Sequence, residues 1–163
     1  SDLPELRQPL RDERQITTVA QAEIGPSTSI AAPPASEQQA YEQAFDALKA
    51  LHYSESAGLF RDFLQQYPDN DLTPNAYYWL GESYYGTQNY QVAEQTFQNL
   101  LRRFPNDAKA PGALLKVGYC QYELKQWDKA RATLNQVRQQ YPDSQEARLA
   151  EGRLRALGTQ AGN

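Results

Sequence analysis

Few side chains in this sequence have the types and spacing for chemistry. Its 163 residues hold one histidine, His52, and one cysteine, Cys120. A lone histidine leaves little for acid–base work near neutral pH, and His52 beside Tyr53 reads as a surface residue in a turn between two helices. A lone cysteine excludes an intramolecular disulfide and a Cys-based zinc site. With no second thiol and no nearby imidazole to activate it, Cys120 reads as a small packed group inside a helix. The carboxylates are scattered, and Asp69 and Asp71 fall in a turn, where Asp is favoured for capping. No glycine-rich phosphate loop, no HExxH and no G-x-S-x-G occurs. The expectation is a chain with no catalytic residue, no cofactor and no metal.

Basic residues are the next candidates. Arg102-Arg103 forms a short basic step, and Arg148, Arg153 and Arg155 are close together near the C-terminal end. The net charge of −4 argues against a nucleic-acid binder, and solvated helix faces account for both groups. The balance is nonetheless uneven, since residues 112–163 carry eight Lys and Arg against five Asp and Glu. No run approaches the roughly 18 apolar residues of a membrane-spanning helix.

The elements that would position any site follow from composition. Residues 1–38 contain half of the ten prolines and no aromatic residue, and Gly25–Ser36 has linker composition. This stretch reads as a mostly disordered tail, as do residues 159–163. The chain contains no methionine, even at its first position, which reads as a processed chain. All eleven tyrosines, five phenylalanines and two tryptophans lie after residue 38, in a body large enough for a core.

That body repeats every 37 residues. Tyr67-Pro68-Asp69, Phe104-Pro105-Asn106 and Tyr141-Pro142-Asp143 are in register, as are Ala44/Gly81/Gly118, Ser56/Ala93/Ala130, Phe60/Phe97/Leu134 and Phe63/Leu100/Val137. Apolar spacings of three and four predict first helices at 75–87 and 112–125, and second helices at 54–67, 91–104 and 128–141. Proline ends each second helix, while Pro74 and Pro111 fall in the first turn of the next. Small residues mark where paired helices approach closely. Ala150 and Leu154 continue the pattern into a closing helix at about 145–157.

Tyr77-x2-Leu80-Gly81-x2-Tyr84, then Ala93-x3-Phe97, then Pro105 resembles the tetratricopeptide repeat, with Tyr for the usual Trp. The resemblance implies an all-α fold, a right-handed superhelix of three helix–turn–helix repeats plus a C-terminal capping helix. The repeats would occupy about 39–73, 74–110 and 111–144, with the cap at 145–158. It also implies an inner groove lined by first helices. Carried over by register, the groove positions are Tyr41 in the first repeat; Asn75, Tyr78, Glu82 and Tyr85 in the second; and Leu115, Tyr119, Tyr122 and Glu123 in the third. Phe45, Leu48, Lys49, Gly86 and Gly112 share these registers. Tyrosine offers contact area with a polar tip at little rotamer cost, so these are the expected partner-binding residues. An acidic, aromatic groove suits an apolar or basic segment and not an acidic tail, which speaks against a carboxylate clamp.

The 37-residue period, Asn75-Ala76-Tyr77-Tyr78-Trp79-Leu80-Gly81-Glu82 and Phe60-Arg61-Asp62-Phe63-Leu64-Gln65-Gln66-Tyr67-Pro68 are similar to one subfamily, the C-terminal domain of the periplasmic Tol–Pal accessory proteins (the CpoB/YbgF family). Membership would imply export to the Gram-negative periplasm, binding to TolA, and help in coordinating septal peptidoglycan synthesis by a bifunctional synthase with outer-membrane constriction. Such proteins are adapters. They trimerise through an N-terminal coiled coil, and residues 1–38 show no sustained a/d heptad, so this chain is expected to be monomeric. Two other readings stay open: a repeat scaffold of outer-membrane protein assembly, whose members are lipid-anchored through an N-terminal cysteine, and a structural repeat module with another protein partner.

Overall fold

The computed structural model describes residues 32–161. Seven α-helices and no strand occur among the described residues: α1 (Ala32–Lys49), α2 (Tyr53–Gln66), α3 (Thr73–Gly86), α4 (Tyr90–Arg103), α5 (Ala110–Glu123), α6 (Trp127–Gln140) and α7 (Gln145–Ala161). The fold is all-α and of tetratricopeptide type, and the five helices expected between 54 and 141 begin and end within two residues of their observed bounds. The chain divides into two compact units: one ends at Thr87 and holds α1–α3, the other begins at Gln88 and holds α4–α7.

Both ends depart from the expectation drawn from composition. α1 starts at Ala32, inside the stretch read as linker, because Pro33 and Pro34 fall in its first turn, where the missing N–H groups have no intrahelical acceptor to lose. α7 continues to Ala161, past the expected end. The reading of residues 1–31 as a disordered tail lies outside the described residues.

Two kinds of turn recur with the repeat. Leu51, Gln88 and Lys125 occupy one register and all adopt left-handed backbone, at φ 63°, 64° and 62°. After α1 the Leu51 N–H donates to the Leu48 carbonyl and the His52 N–H to that of Ala47, both at 2.9 Å. After α5 the Lys125 and Gln126 N–H groups donate to Tyr122 and Gln121 in the same way. This is the Schellman arrangement, which satisfies the last carbonyls of a helix and is usually built on glycine. The second kind of turn follows an aromatic residue and proline. There Asn70, Asp107 and Ser144 share a register: Asn70 Oδ1 accepts from the Leu72 N–H at 2.7 Å, Asp107 Oδ2 from Lys109 at 2.9 Å, and Ser144 Oγ from Ala147 at 3.0 Å.

In the first unit, α1 packs on α2, α2 on α3 and α1 on α3. Its core is aromatic: Tyr41, Phe45, Phe60, Phe63 and Trp79 are all at most 2% exposed. Where α2 meets α3, Ser56 and Ser83 share a buried hydroxyl–hydroxyl hydrogen bond of 2.6 Å. Gly86 lies against the Tyr53 ring, leaving no room for a Cβ.

In the second unit, each helix packs on the next in chain order and α5 also packs on α7. Its core is mainly aliphatic, with Leu100, Leu134, Val137 and Leu157 fully buried, as is Phe97. A Cβ on Gly118 would lie 2.8 Å from Leu134 Cδ2, so the expected close approach of α5 and α6 is real. A polar chain crosses this unit: Thr133 Oγ1 donates to Gln121 Oε1 at 2.7 Å, and Gln121 Nε2 donates to Glu94 Oε2 at 3.0 Å. It ties α6, α5 and α4 together, with every buried polar atom of Gln121 satisfied.

Candidate partner-binding site

The positions expected to line a groove are placed unevenly by the structure. In the first unit Tyr41 is fully buried, its ring 5.9 Å from Phe60 and 5.7 Å from Phe63, so it is a core residue between α1 and α2 and not an exposed wall. Phe45 and Leu48 are buried with it. Tyr78, Glu82 and Tyr85 are each at most 4% exposed, and the Tyr78 ring meets Trp79 edge-on at 4.9 Å. Asn75 alone of the nominated residues in this unit keeps a half-exposed side chain. Lys49 is exposed, 3.3 Å from Asp46 and 5.8 Å above the Phe45 ring.

In the second unit Leu115 and Tyr119 are 2% exposed, whereas Tyr122 and Glu123 are half-exposed at the end of α5. The two exposed members and Tyr119 converge on a residue that sequence reasoning read as part of a solvated face. Arg153 of α7 lays its guanidinium 4.0 Å from the centroid of Tyr119 and 4.6 Å from that of Tyr122. Glu123 Oε2 lies 4.0 Å from Arg153 Nη1, and the Arg153 side chain is 9% exposed. A guanidinium stacked on two rings and faced by a carboxylate is held by cation–π attraction and an ion pair out of bulk water, where both are stronger. Trp127 completes the cluster with an edge contact to Tyr122 at 5.4 Å.

Phe45 and Tyr119 are covered in corresponding ways. Phe45 and Tyr119 share a register, as do Trp79 and Arg153. Trp79 covers Phe45 at 5.3 Å in the first unit, and Arg153 covers Tyr119 in the second. Within each unit one first helix thus seats a large side chain on the central groove register of the first helix before it, α3 on α1 and α7 on α5. Periodicity identifies the face of a helix but not the neighbour that closes over it, which is why Tyr41, Tyr78 and Tyr119 were expected to be open. Arg153 offered one signal: it stands at the register of Trp79, a residue too large and apolar for a solvated face.

The electrostatics are mild. Burial pushes the Glu42 carboxyl above its ordinary value, Asp46 one turn on adds to the rise, and Lys49 opposes it. His52 is exposed, 3.8 Å from Glu55, and Cys120 is fully buried. Among the described residues no three His, Cys, Asp or Glu side chains are grouped to hold a metal, and no helix is long and apolar enough to cross a membrane.

Comparison with known proteins agrees with this architecture. Residues 41–108 match one tetratricopeptide-repeat family model and residues 112–144 match a second. The chain therefore carries tetratricopeptide repeats, the scaffold of protein-interaction modules. Two curated proteins of Pseudomonas putida, each named cell division coordinator CpoB, are 41% identical to it over 49 residues. That stretch is 30% of this chain and 18% of those proteins, so the match spans less than a fifth of their length. Among solved structures, the first tetratricopeptide domain of Spaghetti (RPAP3) bound to the HSP90 peptide SRMEEVD is similar over 78% of this chain and 94% of that one, at a TM-score of 0.65 and 16% identity. The Arabidopsis OM64 tetratricopeptide domain is similar over 74% and 94%, at 0.61 and 20%. At these identities the likeness concerns the fold alone.

Proposed function

We propose that this tetratricopeptide-repeat chain is a periplasmic adapter of the Tol–Pal system. In this reading it binds the periplasmic region of TolA and helps coordinate peptidoglycan synthesis at the septum, through a bifunctional synthase, with constriction of the outer membrane. The observation that carries the proposal is the 41% identity over 49 residues with a cell division coordinator. The sequence resemblance in Phe60–Pro68 and Asn75–Glu82 supports the same assignment.

Burial leaves few of the nominated residues at the surface. Of the nominated residues, Asn75 in the first unit and Tyr122 and Glu123 in the second have surface to offer. Tyr122 is a half-buried ring with a polar tip and Glu123 a partly exposed carboxylate, which together favour a segment with apolar and basic side chains. Tyr78 and Tyr119 lie beneath the surface, and their replacement would report on folding before it reported on binding.

Calorimetric titration with the soluble periplasmic part of TolA, at two salt concentrations, tests the reading. Saturable binding is expected, weaker at high salt and reduced roughly thirtyfold by Tyr122→Ala if that residue is a hot spot of about 2 kcal/mol. The melting curve of the variant is measured alongside, because Tyr122 also holds Arg153. Absence of binding at high protein concentration would remove the Tol–Pal assignment. Undiminished binding by a folded Tyr122→Ala variant would move the contact away from the end of α5.

A further inference from the structure

The basic group at the C-terminal end is divided by the fold. Arg153 turns inward onto Tyr119, Tyr122 and Glu123. Arg148 and Arg155 stay exposed, two helical turns or about 10 Å apart on one face of α7. Glu151, three residues after Arg148 and four before Arg155, lies 3.8 Å from Arg138, and no described carboxylate lies within ion-pair distance of Arg148 or Arg155. This face therefore carries two cations and one carboxylate, which Arg138 offsets, although the chain as a whole is acidic.

The face is also a seat. α5 receives α7 on the registers of Tyr119 and Tyr122, and on α7 those registers are Ala156 and Thr159, both exposed. Gly152, half-exposed one turn earlier, leaves only the Arg155 guanidinium near where a Cβ would stand, at 3.7 Å. A helix laid here as α7 lies on α5 would come close, with the two arginines along one rim. A second helix of the repeat would not fit in the usual way. The register that admits it, small at Ala44, Gly81 and Gly118, is filled by Arg155.

We propose that the Arg148/Arg155 face of α7 docks an acidic amphipathic helix from another protein, lying along α7 with carboxylates toward the two arginines. The proposal stands apart from TolA binding and involves different residues. Charge complementarity selects the acid, and continuity with the α5–α7 packing selects the helix. A nucleic acid or an anionic membrane is the weaker match, because two cations are few for such a surface and the net negative charge of the chain repels it.

The test uses the full chain, isotope-labelled, and two helical peptides. Both carry the buried and half-buried apolar side chains of α7 (Ala147, Ala150, Leu154 and Leu157); one has glutamates along the flank and the other lysines. The acidic peptide is expected to shift amide resonances within 145–161, with affinity that falls with salt and drops about tenfold in an Arg148→Ala/Arg155→Ala variant, whose substitutions on an exposed face leave the fold intact. The lysine peptide is expected not to bind. Equal binding of both peptides, shifts confined to other helices, or no shift at millimolar peptide would overturn the proposal. So would salt-sensitive binding to phosphatidylglycerol vesicles or to a DNA duplex without any response to the acidic peptide. A failed TolA titration with a positive acidic-peptide titration would remove the Tol–Pal reading alone.

Discussion

The two units meet one packing requirement with different chemistry. Where a first helix must cover the one before it, the first unit sets Trp79 on Phe45 at 5.3 Å, both essentially solvent-free. At the same registers the second unit sets Arg153 on Tyr119 at 4.0 Å, with Tyr122 and Glu123 completing the enclosure. The contrast extends to neighbouring contacts. A pair of serine hydroxyls joins α2 to α3, whereas Glu94, Gln121 and Thr133 join three helices of the second unit. A repeat register thus fixes where a large group must sit, and leaves open whether burial or charge holds it there.

The largest effect that would sharpen this contrast comes from truncating the two covering residues. Trp79→Ala removes a fully buried indole and is expected to cost about 4 kcal/mol. Arg153→Ala removes a stacked guanidinium and leaves Glu123, whose side chain is 21% exposed, without that partner, for about 2 kcal/mol. Urea denaturation of both variants measures the difference. Arg153→Met separates the causes, since it keeps bulk and removes charge. Stability equal to the parent in Arg153→Met would mean that packing alone holds the second unit closed, and the contrast would collapse.

Much of this fold was legible in the sequence because the 37-residue period ties many positions to one geometry. Helix limits followed from apolar spacing and from the prolines after Tyr67, Phe104 and Tyr141. The candidate site was far less legible. Tyr119 stands at a groove register, yet its exposure depends on Arg153, which α7 brings across it, a long-range property that no local spacing encodes. Arg153 was hidden by its charge, because a guanidinium among other arginines reads as solvated until two rings and a carboxylate are seen around it. α1 was missed at its start because Pro33 and Pro34 signal linker in composition but are compatible with a first helical turn.

A smaller effect tests whether the units are alike where their turns are alike. Leu51 in the first unit and Lys125 in the second hold the same left-handed conformation without glycine. Leu51 is 52% exposed, so little packing opposes its removal. Leu51→Gly and Lys125→Gly are each expected to stabilise the chain by about 1 kcal/mol, through relief of the Cβ clash that L-residues meet in this conformation. Thermal unfolding measures both. A gain at one position only would show that the side chain at the other makes a contact worth as much as the strain it carries.

The smallest expected effect lies in the first unit and is a matter of protons. Partial burial and Asp46 raise the Glu42 carboxyl above its ordinary value of 4.5, so the folded chain binds that proton more tightly than the unfolded chain does. The stability this contributes is fully present below pH 4.5 and is lost as the pH rises through the folded value, because the unfolded chain gives up its proton first. Glu42→Gln keeps the shape and removes the titration. Its stability relative to the parent should therefore rise across that window and stay level above it, a difference read from urea midpoints at pH 4 and pH 7. The second unit offers the control. Glu123 lies 4.0 Å from the Arg153 guanidinium and glutamine would lose that ion pair, so Glu123→Gln should lose stability relative to the parent at pH 7 where Glu42→Gln gains it. Two carboxylates on first helices would then answer the same substitution with opposite signs, and a shared sign would show that burial, and not the partner cation, decides the cost of a charge at Glu123.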